Sequence, residues 1–145
     1  MRRFDRVDSP SARSTPRPSE HTAAHGPMIL KPNDKVLVAH RRLFEGDQTR
    51  YFAGYVDAYE AGIARVTGRT WIHDGLHGSW LRKEDETTKI VAIASGTVIV
   101  YQLPEGVDLD NATVTDTPTG VFLEDGDGFR MNLSESHRSG SADAA

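Results

Sequence analysis

Residues 89–104, Lys-Ile-Val-Ala-Ile-Ala-Ser-Gly-Thr-Val-Ile-Val-Tyr-Gln-Leu-Pro, restrict the folds open to this chain more than any other stretch. Two short runs rich in β-branched residues, 90–94 and 97–103, flank Ser95-Gly96, a pair able to supply the positive φ of a tight turn. An antiparallel strand with one wet face alternates apolar and polar residues. Here Ile90, Val91, Ala92 and Ile93 are apolar in succession, as are Val98, Ile99, Val100 and Tyr101. The predicted hairpin therefore needs cover on both faces. One face fits a small barrel interior; the other requires a further segment of the chain or another subunit.

The 145 residues include no cysteine, which excludes disulfides and thiolate metal sites. No apolar run reaches the ~18 residues of a membrane helix. No charged start leads into the apolar stretch of a secretory signal. A cytoplasmic protein with no membrane partner is the expectation. The net charge of −4 is unevenly spread: residues 102–145 carry nine acids against two arginines, whereas residues 1–27 carry five arginines against three acids. An acidic C-terminal third opposes a polyanion unless it lies away from the binding face.

Four segments follow from pattern. Residues 1–27, rich in Ser, Pro and Arg without an apolar stripe, read as a disordered tail; translation starting at Met28 is a further expectation. Residues 28–104 read as a small β-barrel, 105–133 as an acidic extension ending in a β-hairpin, and 134–145 as a loose Ser/Ala/Gly tail. Strands are expected at 35–44, 50–60 and 63–73, with a loop at 74–80 and a charged connector at 81–89 before the central hairpin. Gly54 inside the second strand points to a bend or a close backbone crossing. In the third, Ala64, Val66, Gly68, Thr70 and Ile72 share one face, and Arg65, Thr67, Arg69, Trp71 and His73 share the other. A weak strand at 112–115 precedes a clearer hairpin, 121–123 and 129–133, around Asp125-Gly126-Asp127-Gly128. Short strands, Gly turns and no convincing long helix make the fold all-β.

Phe52-Ala53-Gly54-Tyr55-Val56-Asp57-Ala58-Tyr59-Glu60 resembles the first motif of the Sm-like small barrels, relatives of the SH3-like barrels: an aromatic, a glycine, an aliphatic, then an aromatic followed by an acid. Val91-Ala92-Ile93-Ala94-Ser95-Gly96-Thr97-Val98-Ile99-Val100-Tyr101 resembles the second. The resemblance covers residues 35–103. It implies an antiparallel barrel and a homo-oligomeric ring in which the fourth strand of one subunit pairs with the fifth of the next, with Ile90, Ala92, Val98 and Val100 at the interface. The family's RNA contacts do not transfer, because Ala61-Gly62 replaces the turn carrying its usual Asn and Ala94-Ser95 stands where an Arg precedes the glycine. Fold alone does not confer activity.

Three functions compete on the residues. The first is a non-catalytic, homo-oligomeric binding or scaffold module with no cofactor. The second is a single-stranded RNA or DNA binder using Arg65, Arg69 and Trp71, with Arg41 and Arg42 extending the positive surface, since guanidinium groups grip phosphates and an indole stacks a base. Against it stands Trp71 packed under the loop or the C-terminal hairpin. The third is a metal-dependent hydrolase or sensor built on His40, His73, Asp74 and His77; the latter three sit in the glycine-rich loop. Asp125-Gly126-Asp127-Gly128 lacks the ligand set of a calcium loop and reads as a turn. There is no Gly-x-Ser-x-Gly elbow and no glycine-rich phosphate loop leading into a helix.

Overall fold

The computed structural model describes residues 29–134. The N-terminal tail, the start at Met28 and the tail beyond Ser134 lie outside the described residues. The described chain is all-β, in two antiparallel sheets. The first contains β1 (Lys35–His40), β2 (Arg50–Glu60), β3 (Ile63–Asp74), β4 (Ser79–Arg82), β5 (Thr87–Ala92) and β6 (Val98–Leu103). Its neighbours run β4-β3-β2-β1-β6. β4 and β5 share one edge of β3, β5 along residues 63–68 and β4 along 71–74. The second sheet is β7 (Thr113–Thr117), β8 (Gly120–Glu124) and β9 (Arg130–Asn132), in that order.

The central hairpin does not form. β5 pairs with β3 and β6 with β1, and a single 3-10 turn, Ile93–Ser95, joins them. Gly96 does take the positive φ, at 76°, but the turn carries the chain from one border of the sheet to the other instead of reversing it. The reason is face matching. On β3, Val91 falls opposite Ala64 and joins the interior; on β1, Val98 and Val100 fall beside His40 and Val38, with Val100 beside the buried Val38. Direct pairing of two ribbons apolar on both sides would leave a face bare. β5 and β6 do not pair with each other, so the strands do not close into a barrel among the described residues. The charged connector is likewise corrected: residues 79–82 and 87–89 are extended.

Alternation sorts the sheet into two cores. Val36, Val38, Phe52, Val56, Ala64, Val66 and Val91 point to one side, where they meet Leu30 and the half-buried Val98 and Val100. Residues from β5 and β6, the two borders, share this cluster, so the sheet curls over its own side chains. Leu37, Tyr51, Ala53, Trp71 and Leu103 point to the other side. There they meet Val107, Ala112, Val114, Leu123 and Leu133 of the C-terminal segment. The second cover required by the apolar strands thus comes, over β1, β2 and part of β6, from the chain's own extension.

One close crossing shapes the first sheet. Gly54 and Gly68 are register partners on β2 and β3, and a Cβ on either would collide with the opposing backbone, Thr67 carbonyl for one and Ala53 carbonyl for the other. A bulge between Val56 and Ala58 bends β2 further.

Polar contacts fasten the extension. Lys35 Nζ donates to the carbonyls of Glu105 and Val107. Arg82 donates to the Asp110 carbonyl and lies over the Trp71 ring at 5.6 Å. The turn between β8 and β9 is organised by Asp125, which is 4% exposed. Its Oδ1 accepts from the Asp127 and Phe129 amides at 2.9 and 3.0 Å, and its Oδ2 from the Asp108 amide at 3.3 Å. These bonds, the Asp127 amide foremost, hold its carboxyl below the usual carboxylate range against the opposing effect of desolvation. Asp108 is held low in the same way, chiefly by the Asn111 side-chain amide at 2.6 Å.

The linkage has a definite sign. Carboxyls depressed in the folded state contribute stability that is present above their unfolded pKa, about 3.9, and is lost as pH falls through the folded value. Two of the three carboxyls depressed among the described residues, Asp108 and Asp125, lie in the extension, and the third, Asp74, lies only at the loop end of β3, so acid loosens the C-terminal sheet before the six-stranded one. Amide exchange of β7–β9 is expected to accelerate first as pH drops below about 4, and Asp125→Ala to bring the same loosening to neutral pH. Uniform acceleration across both sheets would contradict this order.

Candidate functional site

A cleft of about 710 Å³ lies where the end of β1 and loop 41–49 meet the far ends of β3 and β4 and the C-terminal sheet. Strand parity builds it. Tyr51 faces the extension from β2, and the register brings Trp80 of β4 opposite His73 of β3. The Trp80 ring stands 5.1 Å from Tyr51, tilted by 42°, and 5.1 Å from His73, edge-on at 65°. Trp80 Nε1 is buried with no hydrogen-bond partner in the described structure. Arg41 and Arg42, exposed at the start of the loop, line the mouth. Asp116 of β7 lies 4.0 Å from His73 Nε2, beyond the hydrogen-bond distance that orients a catalytic base.

Arg69 and Arg130 pair with Asp110 and Glu124, at 3.4 and 2.8 Å. Arg42 donates to the Glu45 carbonyl at 2.8 Å, and Arg41 makes a long 3.5 Å contact to the Gly96 carbonyl. Neither has a carboxylate partner among the described residues. His40, on the cleft's rim, has its pKa lowered by desolvation and then by the charges of Lys89 and Arg50. Neutral imidazole is thereby favoured there.

Comparison with family models, with curated proteins and with solved structures finds no match. The site is therefore read from its own chemistry.

The structure disperses the residues grouped by sequence. Trp71 is 4% exposed beneath the extension, so its faces are closed to a base. Arg69 is bound to Asp110 and to the Glu84 carbonyl. Arg65 is exposed on the outer side of β3, beside Ile63 and Ile90 and away from Arg41 and Arg42. A continuous stacking and phosphate-binding stripe along β3 is absent.

The histidine loop also splits. His73 turns into the cleft, whereas His77 Nδ1 bonds Asp74 Oδ2 at 2.6 Å on the exposed loop. That bond and the Leu76 amide hold the Asp74 carboxyl low. Among the described residues no group of three or more His, Asp or Glu side chains is placed to hold a metal ion.

Of the interface candidates, Ile90 and Ala92 are exposed on the outer side of β5, while Val98 and Val100 are half-buried against the inner core. Sequence reasoning passed over Tyr51, Trp80 and Asp116. Trp80 ends the expected loop at 74–80, and no local pattern joins it to residues 29 and 36 positions away.

Proposed function

We propose that this chain is a non-catalytic binding and scaffold module of the Sm-like or SH3-like kind that assembles with copies of itself through the borders of its six-stranded sheet. One observation carries the reading: β5 and β6, six residues each, use one edge on β3 and β1 and leave the other without a strand partner among the described residues. An open edge presents a row of unpaired backbone groups that a second strand satisfies. Both borders are open, so the pairing is head-to-tail and β5 of one copy meets β6 of the next.

Side chains favour the same arrangement. Lys89 turns its ammonium inward, 3.1 Å from Thr70 Oγ1 and 4.4 Å from the Phe52 ring centroid. The outer side of β5 is then Thr88, Ile90 and Ala92, without charge. Ile90, opposite Arg65 on β3, is 64% exposed, and Ile63, opposite Ala92 and diagonal to Ile90, is 49% exposed. These apolar groups gain cover in an assembly. The order β5-β3-β2-β1-β6 and the 3-10 turn that joins β5 to β6 also suit a small barrel of this kind.

Light scattering on the purified full chain is expected to give a mass several times 16.0 kDa. Ile90→Lys, which charges the outer side alone, is expected to shift the mass towards one copy while the circular dichroism spectrum stays unchanged. A wild-type mass of one copy at all concentrations refutes the reading.

A further inference from the structure

We propose that the cleft between the two sheets binds a small anion carrying a flat ring, of the class of aryl phosphates and nucleotides, with the anionic group at Arg41 and Arg42 and the ring along Tyr51, His73 and Trp80. The inference rests on the binding-module reading but not on assembly, because every residue of the cleft comes from one chain.

Size fits first. A volume of about 710 Å³ falls within the roughly 300–1,000 Å³ that small-molecule sites occupy. Walls come second. The Trp80 ring lies 5.1 Å from both Tyr51 and His73; the half-buried Trp80 and His73 line the cleft, the buried Tyr51 backs them, and all three are anchored on strands, so a planar ligand loses little to rearrangement of its site.

Charge decides the polarity of the ligand. Arg69 and Arg130 are engaged by carboxylates and Arg82 clamps the extension, while the exposed Arg65 lies on the outer side of β3, away from the cleft. Arg41 and Arg42 are adjacent, exposed and bound only to carbonyl oxygens. Paired guanidinium groups with free donors match the geometry of a phosphate or carboxylate. Asp116 at the opposite wall repels an anion, which fixes the orientation: charge towards loop 41–49, ring towards His73 and Trp80. The buried indole N–H of Trp80 without a partner is the kind of unmet group that accompanies ligand sites.

The test is a titration of the isotope-labelled full chain with adenosine monophosphate, phenyl phosphate, inorganic phosphate and adenosine, followed by NMR. Adenosine monophosphate and phenyl phosphate are both expected to shift the Trp80 indole signal and the amides of residues 39–43 saturably. Inorganic phosphate alone is expected to move only residues near Arg41 and Arg42. Replacing both arginines (Arg41→Ala with Arg42→Ala) is expected to weaken phenyl phosphate by at least about tenfold. Trp80→Leu weakens it too, but leaves the response to inorganic phosphate intact. Arg65→Ala, on the distant outer side of β3, changes nothing.

Absence of saturable shifts for both adenosine monophosphate and phenyl phosphate up to about 10 mM overturns the proposal, as do shifts indifferent to the paired arginine substitution. Tighter binding of a single-stranded oligonucleotide, with shifts extending to Arg65, also overturns it in favour of a polymer. A one-copy mass in light scattering alongside binding in the cleft would refute assembly and leave this site standing.

Discussion

Gly68→Ala is expected to prevent the six-stranded sheet from forming. The added methyl would lie inside van der Waals contact with the Ala53 carbonyl and the Gly54 Cα, both backbone atoms of the facing strand, so no side-chain rotation relieves it. β2 and β3 can separate only by giving up the pairing that runs from Arg50↔Ile72 to Glu60↔Ile63. The cost exceeds about 3 kcal/mol, a large share of the stability of a small domain. Gly54→Ala meets Thr67 and Gly68 in the same way and is expected to behave alike. Gly46→Ala, where the new methyl meets nothing, serves as the control. Chemical denaturation followed by Trp fluorescence measures the difference; a Gly68→Ala protein with an unchanged midpoint would contradict the close crossing.

Removing residues 105–145 is expected to have an effect of comparable size, by another route. The extension covers Leu37, Tyr51, Ala53, Trp71 and Leu103. Tyr and Trp each bury about 150–250 Å², so the uncovered area reaches the several hundred Å² at which a solvent-exposed patch drives association. The detached three-stranded sheet loses the face on which it packs, and its short strands supply little stability alone. The truncated chain is expected to aggregate or to bind a hydrophobic dye strongly. Co-expression with residues 105–134 is expected to restore soluble, folded material. A truncated chain that stays monomeric, folded and dye-free would show that the outer side of β1 and β2 tolerates water.

Arg69 links this prediction to the reading of the site. In sequence it is one of a series of cations beside an indole on one strand face. In the folded chain it bonds Asp110 and the Glu84 carbonyl, and so helps hold the segment that closes over Trp71. One acid of residues 102–145, Asp110, is thus engaged by an arginine of the six-stranded sheet. Strand parity alone could not reveal this, because alternation says which side of a strand a residue faces and not what covers that side.

Much of the architecture was legible locally. β2 and β3 occupy the stretches marked by alternation, the Gly54 signal does report a close crossing, and the hairpin β8–β9 turns at Asp125-Gly126-Asp127-Gly128. The need of residues 90–103 for cover on two sides was also legible, because consecutive β-branched residues leave neither side of a strand polar. Who supplies the cover was not. Ser95-Gly96 has turn chemistry suited to a hairpin, yet β5 and β6 part company there, since each gains a better-matched neighbour in β3 and β1.

The sequence by itself determined an all-β chain, its strand parities, its glycine crossing and its acidic C-terminal end, because these depend on backbone sterics and on neighbours one to four residues apart. Tertiary structure decided the strand order, the burial of Trp71, the engagement of Arg69 and the meeting of Arg41, Tyr51, His73, Trp80 and Asp116 around one cleft. Those depend on contacts between residues tens of positions apart, whose free energies are settled only when competing pairings are weighed together.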